Sequence, residues 1–229
     1  MTTYAFQPSI PATIALLNSE LNFPIHRIYC VGRNFADHAK EMGAEVPKGT
    51  PVFFMKPADA ATQSNLIAYP TQTQDLHHEV ELVVALGPDI PKALTAQNAL
   101  QGVFAYGVGL DLTRRDLQAI AKEKRLPWDT SKGFDASAPI SLLVPAKQAN
   151  ISANTQISLH VNGKLRQQAL IGDMIFSITE ILVELSKLFQ LQAGDLIFMG
   201  TPAGVAALKR GDEFTAELQG VVSFSGKII

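Results

Sequence analysis

The chain has 229 residues, 47% of them hydrophobic and 17% charged, which is apolar material enough for a full core. A formal charge of −2 offers no basic surface for nucleic acid, and the single cysteine, Cys30, excludes an intramolecular disulfide and points to a reducing compartment. The N-terminal residues carry neither a basic n-region nor an apolar h-region, and no run reaches ~18 apolar residues, so a cytoplasmic protein without a membrane span is expected.

In chain order, His26 to Gly32 is a short β-prone run ending in glycine. Asn34 suits a helix N-cap, and Phe35 to Met42 spans two turns closed by Gly43 as a C′ residue. Pro51 to Pro57 reads as a buried strand stopped by proline, and Val80 to Leu86 as a longer apolar strand ending at Gly87-Pro88. Asn162-Gly163, between Ile157–Val161 and Lys164–Arg166, is a hairpin signal because both positions tolerate φ > 0. Ser177 and Glu180 form a capping box ahead of Ile181, Leu182, Leu185, Leu188 and Phe189 at helical spacing. Ala193-Gly194-Asp195 ends that helix and starts the strand Leu196–Met199, and Glu213 to Ile229 reads as two strands turned at Gln219-Gly220. Strands dominate without alternating regularly with helices. An α+β, strand-rich fold with a few short helices is therefore expected, not a doubly wound parallel sheet.

The chemistry concentrates at His77-His78-Glu79-Val80-Glu81. Strand side chains alternate faces, so Glu79 and Glu81 share one, about 7 Å apart. Beyond Glu81 both faces are apolar, and two buried like charges need a compensating cation. Asp111 follows the apolar run Val103–Leu110 and so sits where another buried strand surfaces. Together the three carboxylates make a cage for Mg²⁺ or Mn²⁺; a solvated acidic strand end is the plainer alternative. One cysteine and no zinc-like histidine spacing disfavour zinc. If Asn34 to Met42 is helical, His38 and Glu41 are i, i+3 neighbours, and a carboxylate beside an imidazole suits a general base; an ordinary surface helix reads the same. Gly107-Val108-Gly109 lacks the third glycine of a dinucleotide fingerprint, and Gly200-Thr201-Pro202-Ala203-Gly204 lacks the lysine of a P-loop. Arg114, Arg115, Lys122, Lys124, Arg125 and Lys132 read as a solvated helix face that an anionic substrate could recruit.

An ordered set of segments carries a resemblance: Val31–His38, Phe54–Pro57, His77–Leu82, Leu110–Asp116, Ser131–Asp135, Val161–Gly163, Asp173–Ile175 and Met199–Val205. In this order the chain resembles the fumarylacetoacetate hydrolase family, especially its compact acylpyruvase-like members. The resemblance implies one catalytic domain over residues 1–229, with 1–24 as an N-terminal extension. It implies a mixed β-roll or sandwich with a lid helix, commonly a homodimer. It further implies Glu79, Glu81 and Asp111 as ligands of Mg²⁺ (or Mn²⁺), His38 and Glu41 as a water-activating dyad, and Lys132 as the active-site lysine. Arg33, Lys56, Arg115, Gln118 and Thr201 are the implied substrate contacts. Phe35 and Met199 stand where relatives often have tyrosine and threonine, which leaves substrate preference open.

The function these expectations add up to is C3–C4 hydrolysis of an acylpyruvate, a small 2-oxo acid, to pyruvate and a carboxylic acid. Oxaloacetate decarboxylation, or keto–enol tautomerisation or isomerisation of an oxo-diacid, is the enzymatic alternative. A metal- or oxoacid-binding protein that kept the fold is the non-catalytic one.

Overall fold

The computed structural model describes residues 3–7, 9–41, 43 and 49–229. An N-terminal hairpin, β1 (Thr13–Ala15) and β2 (Asn22–Pro24), leads to β3 (Arg27–Gly32), α1 (Ala36–Glu41) and β4 (Val52–Lys56). Short strands β5 (Ala61–Thr62), β6 (Leu66–Ile67) and β7 (Leu76–His78) precede β8 (Val80–Leu86), β9 (Val103–Leu110) and β10 (Thr113–Arg114). Then come α2 (Arg115–Glu123), α3 (Asp129–Lys132), β11 (Ala138–Pro139), β12 (Val144–Pro145) and α4 (Ala146–Ala149). The hairpin β13 (Gln156–Val161) and β14 (Lys164–Leu170), α5 (Ile178–Leu188), β15 (Asp195–Phe198), β16 (Ala206–Leu208), β17 (Glu213–Leu218) and β18 (Val222–Ile228) complete the chain.

Two large sheets organise these elements. One has the order β12-β9-β8-β15-β3-β4, the other β14-β13-β17-β18-β6. β15 is inserted antiparallel to β8 and parallel to β3, so segments far apart in sequence are neighbours at the sheet centre. Every residue of β8 is buried, as its two-faced apolar pattern requires. Val80, Leu82, Val84 and Leu86 face the larger core, where Leu159 of β13, Phe214 of β17 and Leu182 of α5 meet them. Val83 and Ala85 face a second core closed by Ile14, Leu16, Phe23 and Ile25. The N-terminal residues thus contribute a hairpin that seals one sheet face. Each fully buried leucine or isoleucine here stabilises the fold by roughly 1.5–3 kcal/mol.

Several local expectations hold. Asn162 and Gly163 take φ 51° and 72° at the hairpin tip, and Ser177 and Glu180 exchange both bonds of the capping box. Two need correction. Asn34 does not cap a helix with its side chain: Nδ2 donates to Met199 O and Phe176 O at 2.8 and 3.0 Å, while Oδ1 accepts from Phe176 N–H at 2.8 Å. Its amide instead ties the β3–α1 corner to the chain before α5 and to the residue after β15. β4 is not a buried strand but the half-buried edge of its sheet, and only Lys56 in it is fully enclosed. Met42, expected to finish the first helix, lies outside the described residues. Among the described residues no helix is long and apolar enough to cross a membrane.

Candidate active site

The adjoining ends of β8 and β9 make the site. Val80 pairs with Leu110 and Glu81 with Gly109, and Asp111 N–H donates to Glu79 O at 2.8 Å as both chains leave the sheet. Gly109 is required opposite Glu81, because a Cβ there would lie 2.8 Å from the Phe198 ring. One carboxylate oxygen from each of Glu79, Glu81 and Asp111 falls within 4.8 Å of the others, and all three residues are buried.

Three cations face these carboxylates. Lys132 Nζ bridges Glu79 Oε2 at 2.7 Å and Asp111 Oδ2 at 2.5 Å, and Arg115 Nη2 donates to Glu79 Oε1. Lys56 Nζ lies 2.7 Å from Asp111 Oδ1, but its hydrogen bonds are directed at Leu112 O and Lys132 O, so no donor points at that oxygen. Burial opposes ionisation of Glu79, yet Lys132 and Arg115 outweigh it and hold the carboxyl below the usual carboxylate range. Glu81 differs. Its Oε2 accepts the Gly200 N–H at 2.7 Å, but among the described residues no cation lies within 4.0 Å of it. Burial, then the charges of Asp111 and Glu79, push its pKa well up.

This donor set fits a hard divalent ion. The three converging carboxyl groups include one buried side chain without a cation partner and one buried oxygen without a donor, and oxygen-rich cages of this kind suit Mg²⁺ or Mn²⁺.

α1 brings in His38 and Glu41. His38 Nδ1 is 3.3 Å from Glu41 Oε2, and both Glu41 oxygens accept the Gly204 N–H, at 3.1 and 3.2 Å. A carboxylate only accepts, so Nδ1 carries the proton and Nε2 of the neutral ring is the acceptor. Burial lowers the His38 pKa against the opposing pull of Glu79 and Glu41, which keeps the ring neutral.

Nine of the eleven expected site residues line one cavity: Arg33, His38, Glu79, Glu81, Asp111, Arg115, Gln118, Lys132 and Thr201. Glu41 sits behind His38. Lys56 is not among the residues lining this cavity: it is fully buried behind Asp111, with its ammonium directed at Leu112 O and Lys132 O.

Residue-level reading missed the loop after β15. Gly200 N–H holds Glu81, Thr201 lines the cavity, and Gly204 N–H holds Glu41. Gly204 has φ +99°, and a Cβ on it would lie 2.1 Å from Arg166 O, so no other residue fits. Gln167 of β14 anchors the loop: Nε2 donates to Thr201 Oγ1 and Pro202 O at 2.8 Å each. Its Oε1 accepts from Val80 N–H at 3.1 Å and pairs with His78 Nδ1 at 2.9 Å. Nothing around Gln167 in the sequence signals this, because its partners lie on β7, β8 and the loop.

Residues 27–229 match the family described as fumarylacetoacetate (FAA) hydrolase, C-terminal. The chain belongs to the fumarylacetoacetate hydrolase family. It is similar to the crystal structure of fumarylpyruvate hydrolase from Pseudomonas aeruginosa in complex with Mn²⁺ and pyruvate, with TM-score 0.93, 42% identity and 99% of each chain covered. It is 42% identical over 202 residues to the oxaloacetate tautomerase of Escherichia coli, covering 87% of this chain and 91% of that one. To the mitochondrial oxaloacetate tautomerase of Homo sapiens it is also 42% identical over 202 residues, with 88% and 90% covered. As a strand-rich member of the fumarylacetoacetate hydrolase family it has the mixed α+β architecture of these neighbours.

Proposed function

We propose that this chain is a divalent-metal-dependent hydrolase that cleaves the C3–C4 bond of acylpyruvates, releasing pyruvate and a carboxylic acid. The observation that carries the reading is the His38–Glu41 dyad facing the same cavity as Glu79, Glu81 and Asp111. Hydrolysis needs an activated water and decarboxylation does not, while tautomerisation would use the same imidazole to move a proton at C3. The likeness to a fumarylpyruvate hydrolase over 99% of both chains supports the same choice.

Mg²⁺ or Mn²⁺ held by Glu79, Glu81 and Asp111 would supply Lewis acidity and a template for the 2-oxo acid end of the substrate. His38 Nε2 takes a proton from water, whose oxygen attacks the C4 carbonyl, and Glu41 stabilises the imidazolium that forms. When the C3–C4 bond breaks, its electron pair stays on C3 as pyruvate enolate, C4 leaves as the carboxylic acid, and the proton held by His38 returns to C3 to give pyruvate. Lys132, whose pKa Asp111 and Glu79 raise against the effect of burial, neutralises the developing anion. Thr201, Arg115 and Gln118 orient the substrate carboxylate. Homodimeric assembly belongs to the same reading, and sedimentation at micromolar concentration should give twice the chain mass.

A second reading, oxaloacetate tautomerase, is favoured by the names of the Escherichia coli and human relatives. One experiment separates the two: pyruvate release from acetylpyruvate and fumarylpyruvate with Mn²⁺, beside loss of the enol absorbance of oxaloacetate. Metal-dependent pyruvate release is the expected result. Enol-to-keto conversion with no pyruvate released from either acylpyruvate would replace hydrolase with tautomerase.

A further inference from the structure

His77 opens the acidic strand segment, yet the chemistry proposed above leaves it unused. It stands behind Arg115, which lines the cavity. Arg115 Nε–H donates to His77 Nδ1 at 3.4 Å, Nη1 donates to Gln118 Oε1 at 2.6 Å, and Nη2 donates to Glu79. Only an unprotonated ring nitrogen accepts, so Nδ1 carries the lone pair, and Nε2 carries the proton it donates to Asp75 Oδ1 at 2.9 Å. His38 holds the opposite tautomer. We propose that His77 and Asp75 are positioning residues, which hold the Arg115 guanidinium in place for the substrate carboxylate. This rests on the reading that a 2-oxo acid binds beside the cage with Arg115 as one of its contacts.

The backbone builds this arrangement. β7 is the middle strand of the sheet β10-β7-β16, so His77 is fixed between Thr113 and Ala207. Arg115 opens α2 directly after β10, and its N–H donates to Asp75 O at 2.8 Å. One ladder therefore sets both ends of the side-chain contact. Residues two apart on an extended chain share a face, which lets His77 and Glu79 grip one guanidinium at Nε and Nη2. An ion held at the cage would compete with Arg115 for Glu79. His77 and Gln118 are anchors outside the cage, and they restrain the guanidinium whether or not Glu79 keeps it. A free arginine side chain carries about 2 kcal/mol of rotamer entropy, and one already restrained loses less of it when a carboxylate binds. Asp75 acts one step further out. Without it the imidazole is free to take the other tautomer, which presents an N–H to the guanidinium instead of a lone pair.

The test compares His77→Leu, His77→Asn and Asp75→Ala in the Mn²⁺-loaded full chain. Asparagine places an acceptor near the Nδ1 position, whereas leucine fills the space and accepts nothing. The Asp75 side chain is 43% exposed, so its truncation leaves the core alone and carries the test should His77→Leu fail to fold. Pyruvate is titrated in and followed through the water-proton relaxation of the bound Mn²⁺. His77→Leu should weaken pyruvate binding about tenfold and raise KM for an acylpyruvate by a similar factor, with kcat changed much less. His77→Asn should recover most of that loss, and Asp75→Ala should show part of it. A loss that asparagine does not recover, or one matched by equal falls in Mn²⁺ affinity and kcat, would make the pair structural and overturn the proposal. Unchanged pyruvate binding in both His77→Leu and Asp75→Ala would overturn it as well. The expected binding pattern without pyruvate release from acylpyruvates would remove the hydrolase reading alone. A wild-type chain that binds no pyruvate would overturn the positioning role together with the reading beneath it.

Discussion

Glu81 is 2% exposed, with one backbone hydrogen bond and no cation within 4.0 Å among the described residues. Folding raises its pKa, so the folded chain keeps a proton that the unfolded chain releases first. Its contribution to stability is fully present below the ordinary carboxylate value and is lost as pH rises through the raised one. Melting curves of the metal-free protein from about pH 5 upward should therefore fall with pH, and Glu81→Gln should remove that part of the slope. His38 carries the second expectation at this scale. His38→Ala should cost about 10²–10⁴-fold in kcat on an acylpyruvate and much less in oxaloacetate decarboxylation, whereas Lys132→Ala should harm both. Equal losses on both substrates for His38→Ala would remove the water-activating role. The cage residues were legible because a period of two put Glu79 and Glu81 on one face ahead of an apolar run. Lys56 was not, because whether a lysine meets substrate or a carboxylate depends on what β9 places behind it.

At the scale of elements, the five residues Gly200 to Gly204 hold a cage ligand, a cavity residue and the dyad, and one side chain of β14 holds them. Gln167→Met should leave the buried Val80 N–H and the Thr201 hydroxyl without their partner, costing about 1–3 kcal/mol of stability. For a chain of this size that is about 2–4 °C of Tm per kcal/mol. KM should rise more than kcat falls, since the cavity-lining threonine loses its anchor before any group proposed to move a proton. A change in Tm with unaltered KM would make Gln167 structural only. Elements set by neighbours in sequence, such as the Asn162-Gly163 hairpin and the Ser177–Glu180 box, could be read directly. Asn34 could not, since its partners Phe176 and Met199 are more than 140 residues away. Nor could the edge position of β4, because apolar content looks alike on an edge and in a sheet centre.

For the whole molecule, the excess of strands over helices was enough to place it in the α+β class, while the pairing of β15 with both β3 and β8 was beyond pattern reading. The cage sits where the ends of β8 and β9 meet the loop that follows β15, so an ion bound there couples to global unfolding. Mn²⁺ at 100 times its Kd should add about 2.7 kcal/mol to the unfolding free energy. Thermal melts with and without excess chelator measure this, and an unchanged Tm at saturating Mn²⁺ would argue against binding to the folded state.

The bridge that Lys132 makes between Glu79 and Asp111 has one more consequence. The ammonium is a tethered competitor for the oxygens an incoming ion must take. Its presence keeps the carboxylates gathered and in register while no ion is bound, so the cage need not assemble around its guest. The trade is affinity for readiness. Lys132→Ala should bind Mn²⁺ more tightly at equilibrium if displacement is the larger effect. In exchange, its metal-free form should be the less stable of the two, with two facing carboxylates and one fewer counter-charge between them.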